Sequence, residues 1–391
     1  MKYIYDKRLS PLLKYPGGKE KELEQILPRL PENINRYYEP FVGGGAVFLA
    51  INCKEYLIND KSKELISLYE FVKENNKVFL KTLKDFDHNW NVMTAVIENH
   101  NEELIQLYFN YKKENLSKLE LKNEVEKFVK QNEIEFNGML QPCFNVKIEN
   151  FVEELNKSIS NKMIRMALIE NKKRNLDLND ITKNIEGSFK NAFYMHFRYL
   201  YNKSIQLIND GEITKEYATA IYVFIRQYCY SSMFRYNNMG KFNVPYGGIS
   251  YNRKSLLKNI KNYEDVRTIK HLDKTIIGNE DFYTFMERHK PLKNDFLFID
   301  PPYDTEFSTY DRNEFNKNDQ MRLANYLINE CKANFMVVIK NTEFIRNLYK
   351  EGIKTKNGGI LKVNIFDKKY MVSFQDRNNK NAEHLIITNY E

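Results

Sequence analysis

The chain has 391 residues, 42% of them hydrophobic and 29% charged, and 60 Lys and Arg against 52 Asp and Glu give it a formal net charge of +8. That composition is ordinary for a globular protein with room for a catalytic domain and a sizeable second domain; it permits a polyanionic partner without proving one. No run of about twenty apolar residues could span a bilayer and no N-terminal stretch resembles a signal peptide, so a cytoplasmic protein is expected; Cys53, Cys143, Cys229 and Cys331 are scattered without metal-ligand or disulfide spacing, so no metal is expected.

Residues 37–50 read YYEPFVGGGAVFLA, which predicts a short strand, a glycine turn and the start of an apolar helix. Gly43, Gly44 and Gly45 let the backbone turn tightly and approach a nucleotide-like ligand, although a lone glycine-rich turn is often only a tight loop. Residues 55–58 predict a second strand, ending at Asn59 and Asp60. Asp60, about fifteen residues past the glycines, stands where a Rossmann-like unit places its ribose-binding acid, and a helix cap is the competing assignment.

Beyond residue 75 the pattern changes. Apolar positions recur at helical spacing (Leu104, Leu107, Tyr108, Tyr111; Leu121, Val125, Phe128; Phe189, Phe193, Phe197, Leu200), predicting a mostly helical insert whose aromatics form its core. Residues 171–186 are polar enough to predict a loop or linker. Between 234 and 248, Gly240, Pro245, Gly247 and Gly248 punctuate a hairpin with turns at both ends. Short strands are then predicted at 274–277, 296–299, 335–339 and 385–388, with a helix over 320–331.

The segment FLFIDPPY, residues 296–303, is the most informative. An apolar run reads as a buried strand, and two prolines bar its continuation, so Asp300 and Tyr303 project from the strand's carboxyl end, where an open α/β sheet places its ligand. A carboxylate next to backbone carbonyls accepts hydrogen bonds from an amino group, and the following ring offers a stacking surface for a flat base. A strand that simply ends in a Pro-Pro turn is the alternative for the tetrapeptide alone.

Taken in order, KYPGGK (14–19), EPFVGGGAVFL, YLIND, FRYNNMGKFNVPYG (234–247), NEDF (279–282), DPPY and AEHLIITNY resemble the motifs of Dam-type, D12-class alpha-group DNA adenine-N6 methyltransferases. The resemblance covers roughly residues 10–75 and 220–391 and leaves the segment between them unmatched. It implies an α/β, Rossmann-like S-adenosylmethionine-dependent sheet built from residues 1–75 and 270–391, with an inserted, mostly helical target-recognition domain and hairpin at 76–269. The implied reaction is methyl transfer from S-adenosylmethionine, released as S-adenosylhomocysteine, to N6 of an adenine flipped out of double-stranded DNA. By the same resemblance, Asp300, Pro301, Pro302 and Tyr303 are catalytic, and Tyr15, Lys19, Glu39, Phe41, Gly43, Gly45, Asp60, Asp281, Phe282 and Asp300 bind the donor. Lys14, Tyr230, Ser231, Arg235, Asn237 and Asn243 meet DNA, with Arg235 reading a guanine.

Ser231 stands where the family has Asn, and Met233 where it has a smaller apolar residue, so the recognised sequence does not carry over. Asn237, Lys241, Asn243 and Tyr246 are equally open as DNA contacts or loop scaffold. The six histidines form no ligand spacing and receive no role. Two rivals remain: a cytosine-N4 methyltransferase, against which the Asp before PPY and the motif order argue, and a non-catalytic DNA-binding protein on the same fold, whose decay would be expected to have spoiled Lys19, Asp60, Asp300 or Tyr303. No nuclease motif is present, so any partner restriction endonuclease is a separate chain; a bacterial or phage cytoplasm is the expected setting.

Overall fold

The computed structural model describes residues 8–15, 17–139, 145–172, 175–303, 315–369 and 381–391. The chain divides into two compact units, residues 1–75 with 262–391, and residues 76–261.

The first unit is built on strands β1 (Arg36–Glu39), β2 (Glu55–Asn59), β3 (Thr275–Gly278), β4 (Phe296–Ile299), β5 (Asn334–Lys340), β6 (Lys362–Lys369) and β7 (Asn381–Thr388). They make one seven-stranded sheet in the order β3-β2-β1-β4-β5-β7-β6. The first five run parallel, whereas β7 is antiparallel to both β5 and β6. β4 and β5 are almost wholly buried, as continuous apolar runs covered on both faces must be. The α/β expectation is met, and the predicted strands all form; β6 is a strand that the sequence reading had not marked.

In chain order the helices are α1 (Leu23–Ile26), α2 (Lys63–Lys73), α3 (Lys77–Asn99), α4 (Asn101–Lys112), α5 (Lys118–Gln131), α6 (Glu133–Met139), α7 (Ile148–Lys172), α8 (Leu178–Asn209), α9 (Lys215–Tyr228), α10 (Leu257–Tyr263), α11 (Val266–Asp273), α12 (Phe282–Arg288), α13 (Lys317–Asn329) and α14 (Glu343–Leu348). None among the described residues is long and apolar enough to cross a membrane.

Two local expectations are corrected. The apolar stretch after the glycine turn is a 3-10 turn of three residues, Phe48–Ala50, and not the start of an α-helix. Val47 to Ile51 are buried on every side, so packing and not helical propensity decides their conformation. The polar patch at 171–186 is largely helical: α7 continues to Lys172 and α8 starts at Leu178, capped by Asp177, whose side chain accepts from the Asp180 N–H. Ile181 and Ile185 sit one helical turn apart and are buried, and the polar residues between them form the outer face.

The second unit is helical, comprising α3 to α9, with an aromatic centre. Phe193 and Phe197, one turn apart on α8, stack with centroids 4.9 Å apart, and Trp90 of α3 meets Phe193 edge-on at 5.5 Å. The Trp90 indole N–H donates to the Asn252 carbonyl at 3.2 Å, so its one polar atom is satisfied in the core.

Asp295 fastens the amino ends of β1 and β4. It is buried, accepts from Arg36 Nε at 3.1 Å and Nη2 at 2.6 Å, and takes the backbone N–H groups of Arg36 and Leu292. Asp295→Ala is expected to lower the denaturant midpoint, at unchanged m, by the equivalent of about 3 kcal/mol, because it strands these donors. Arg36→Ala should cost less, since Arg36 is 22% exposed and Asp295 keeps its backbone donors.

Candidate active site and recognition hairpin

β1 and β4 are parallel neighbours, with Tyr37 facing Phe296 and Tyr38 facing Leu297, so Glu39 and Asp300 emerge at the same edge of the sheet. Lys19 reaches this edge from the N-terminal segment. Its side chain is only 2% exposed; Nζ is ion-paired to Asp300 Oδ1, donates to the Gly17 carbonyl at 3.1 Å and approaches Tyr303 Oη at 3.4 Å. Glu39 is buried beside them and accepts from the Tyr37 hydroxyl at 2.6 Å.

The glycine turn lies next to this cluster. Gly43 and Gly45 have φ of +48° and +75°, in the left-handed region that favours glycine. At Gly44 a Cβ would collide with the Leu13 carbonyl, and at Gly43 it would come within 3.2 Å of the Tyr15 ring, so the N-terminal segment packs directly on the turn. Lys14 is exposed. Asp60, at the end of β2, accepts from the Gly43 N–H at 3.1 Å and the Ser62 N–H at 3.0 Å. It braces the turn from below, while Tyr69 Oη donates to the Gly43 carbonyl at 3.0 Å.

The neighbouring segment after β3 is tied in by Asn59, whose side chain donates to the carbonyls of Pro40 and Glu280 and accepts from the Glu280 N–H. Asp281 caps α12 by accepting from the Tyr283 N–H and is paired with Arg322 at 3.0 Å and Lys61 at 3.5 Å. Burial pushes its carboxyl up, but the Tyr283 N–H, Arg322 and Lys61 outweigh that and hold it below its ordinary value. Phe282 is buried and packs on Phe41 with centroids 5.5 Å apart. Two contacts were not legible in the sequence. Gln320 of α13 donates to the Pro302 carbonyl at 2.8 Å, and His384 Nε2 lies 3.2 Å from Tyr303 Oη.

The hairpin belongs to the helical unit. Bridges Cys229–Tyr246 and Tyr236–Phe242 close it, and α8 pins it through Asn202, which both donates to and accepts from the Phe242 backbone. Phe234 and Phe242 are buried together at 4.6 Å, with the Arg226 guanidinium 4.0 Å above Phe234. Asn237 Oδ1 accepts from the N–H groups of Met239 and Lys241, shaping a tip completed by Gly240 at φ +68°. Arg235 is exposed, and its Nε donates to Asn243 Oδ1 at 3.4 Å. Tyr230 is 45% exposed, Ser231 has φ +53°, and its N–H donates to Tyr251 Oη. Tyr246 is buried, with its hydroxyl donated to Asn252.

Chemically, the sheet edge offers a cation and carboxylates fit for a zwitterion, an acid at the second strand, an aromatic pair, and a turn without Cβ atoms. That set fits the methionine and nucleoside ends of S-adenosylmethionine. The fold is an open α/β sheet with these groups gathered at the carboxyl ends of its parallel strands, the edge where such sheets place nucleotide-type ligands.

The sequence pattern of the D12 class N6 adenine-specific DNA methyltransferases matches residues 15–373, and the chain belongs to that family. Its reaction is therefore adenine-N6 methylation of DNA, with S-adenosylmethionine the donor that the family implies. Among similar proteins, type II methyltransferase M.MjaIII of Methanocaldococcus jannaschii is 24% identical over 395 aligned residues, covering 98% of this chain and 99% of that one. Type II methyltransferase M.CviBI of Paramecium bursaria Chlorella virus NC1A is 32% identical over 173 residues, 43% of this chain and 60% of the relative. Modification methylase StsI of Streptococcus sanguinis is 22% identical over 97% of this chain and 42% of its own length.

Burial pushes the Glu39 carboxyl well above its ordinary value of 4.5; the Tyr37 hydroxyl opposes this, Asp300 adds to it, and the Phe48 N–H and Lys19 oppose it. A carboxyl raised in the folded state contributes its full stability below that ordinary value and loses it as pH rises through the folded pKa. Glu39→Gln, which is neutral at every pH, should therefore gain in Tm relative to the wild type as pH is raised from about 5 to about 8. A Tm difference that stays flat over that range would show that Glu39 is ionised throughout.

Proposed function

We propose that the Lys19–Asp300–Tyr303 cluster is where the methyl group is transferred to a flipped adenine, and the buried convergence of these three side chains beside the glycine turn is the observation that carries the reading. S-adenosylmethionine supplies a sulfonium-bound, electrophilic methyl group and leaves as the neutral thioether. Lys19 meets the donor's carboxylate, Asp60 its ribose hydroxyls, and Phe41 and Phe282 its adenine ring, with Asp281 near the ring's amino group; Tyr15, Glu39, Gly43 and Gly45 line the pocket. Asp300 and the Pro301 carbonyl accept the two N6 hydrogens of the target base. The amine's lone pair, otherwise delocalised into the ring, is thereby turned toward the methyl carbon. Tyr303 stacks on the base, and Pro302 keeps the chain turned so that the carbonyl and the ring stay aligned. As the N–C bond forms and the C–S bond breaks, N6 becomes cationic and sheds one proton, for which Asp300 is the nearest acceptor.

Taking the base out of the stack costs a few kcal/mol, which protein–DNA contacts must offset. We assign those contacts mainly to the hairpin of the helical unit, Arg235 to a guanine, Tyr230 and Ser231 to the vacated stack, and Asn237 and Asn243 to backbone and loop shape, with Lys14 of the N-terminal segment meeting a neighbouring base. We infer that any restriction endonuclease the protein is paired with is a separate chain.

Asp300→Asn should abolish methyl transfer even at saturating donor, whereas Asp60→Ala should mainly raise the donor's KM, because it loosens the brace on Gly43. Tritiated-methyl incorporation into DNA from a methylation-free host reads both, and full activity in Asp300→Asn would reject the assignment.

Arg235→Ala should relax discrimination at one guanine by about 1–3 kcal/mol without altering donor binding. Substrates changed one base pair at a time, once the modified sequence is mapped, provide the check. Equal loss on every substrate would instead mark a phosphate contact.

A further inference from the structure

His384 is fully buried on β7, opposite Lys340 at the end of β5 and Phe366 on β6. Because β7 runs antiparallel to β5, its first residues lie along the edge where the parallel strands end. That direction brings a side chain 81 positions distant to within 3.2 Å of the Tyr303 hydroxyl. The rings of His384 and Tyr303 meet edge-on at 5.5 Å, and Phe366 packs tilted on the His384 ring at 5.8 Å.

We propose that His384 is a positioning residue for methyl transfer, holding the Tyr303 ring in the plane in which it stacks on the target adenine. The inference rests on the base-stacking role given to Tyr303 above. An ammonium can only donate, so Tyr303 Oη accepts from Lys19 at 3.4 Å and keeps its own proton to give. In the tautomer that carries its proton on Nδ1, the His384 imidazole accepts that proton at Nε2. Two tethers of different origin thus converge on one hydroxyl. Lys19 is shared with Asp300, to which it is ion-paired, whereas His384 is fixed by sheet pairing on both sides and is the more firmly placed of the two tethers. Backbone restraint alone does not set the ring plane: Pro301 and Pro302 fix φ, and Gln320 holds the Pro302 carbonyl, but neither acts on the Tyr303 side-chain torsions.

The test is a double-mutant cycle on turnover, using tritiated S-adenosylmethionine and DNA from a methylation-free host. His384→Phe keeps a ring against Phe366 and removes the nitrogen; kcat should fall about tenfold with donor KM unchanged, as expected for one lost hydrogen bond in the reacting geometry. Tyr303→Phe, which removes the hydroxyl alone, should give a similar loss, and the double variant should be no worse than either single one. His384→Gln, whose terminal amide stands in for Nε2, should recover most of the rate. His384→Asn, whose amide stands in for Nδ1, should not, and it replaces His384→Phe in the cycle if that variant fails to fold. Wild-type kcat in His384→Phe or His384→Asn, or losses that multiply in the double variant, would overturn the proposal. Tyr303→Ala separates this from the reading beneath it. Undiminished kcat in Tyr303→Ala rejects the stacking role itself, whereas its loss together with an undisturbed His384→Phe rejects only the part given to His384.

Discussion

A lysine ammonium cannot be left unpaired in a protein interior, and the 2% exposure of the Lys19 side chain makes its pairing with Asp300 the constraint around which the site is organised. Glu39 lies close enough to influence both, yet burial drives its carboxyl toward the neutral form, so Asp300 is the chief ionic partner of the cation. The arrangement draws the N-terminal segment over the sheet edge. Once Lys19 is seated, Tyr15 and Leu13 fall on the glycine turn, and the missing Cβ atoms of Gly43 and Gly44 become a packing requirement as well as a conformational one. Binding a zwitterion here would exchange one set of ionic partners for another without leaving any buried charge alone.

Glu39 and Asp300 stand side by side at this edge because of strand order. β1 and β4 are separated in sequence by the entire helical unit and yet pair directly. Asp295 and Arg36 secure their amino ends, leaving the carboxyl ends to chemistry. Reversal of direction at β7 adds a second source of side chains to that edge. A purely parallel sheet would have placed the opening residues of its last strand at the far end.

Much of this was legible in the sequence for a plain reason. Buried parallel strands are short apolar runs, and a Pro-Pro pair or a glycine cluster ends them abruptly, so Ile299–Asp300 and Glu39–Gly43 declare both the strand and its rim. The misreadings have equally specific causes. Residues 47–51 are apolar all round, a pattern that does not distinguish a helix from an irregular segment packed on every side. Within 178–185 the polar residues face outward from α8, and the buried pair Ile181 and Ile185, one turn apart, is the signal by which the helix could have been read. His384 and Gln320 carry no local signature at all. Each acts through a hydrogen bond to a residue far along the chain, Tyr303 and Pro302 respectively, and only the fold brings them there.

The hairpin divides its polar side chains between two tasks, and this bears on how a single arginine could read a base. Asn237 is committed to the loop itself, with its carbonyl oxygen taken by the Met239 and Lys241 N–H groups. Tyr246 is likewise spent on anchoring it, as is Asn202 from α8. Asn243 is different, because it holds Arg235 through Nε and leaves the Nη pair as the edge for a bidentate guanine contact. Fixing a long side chain at one end removes part of the rotamer entropy that binding would otherwise cost, on the order of 1 kcal/mol for an arginine. A guanidinium held in this way distinguishes bases better than a freely mobile one, since a wrong base meets donors that cannot swing aside to find water. The scaffold asparagines would then contribute to sequence discrimination without touching a base.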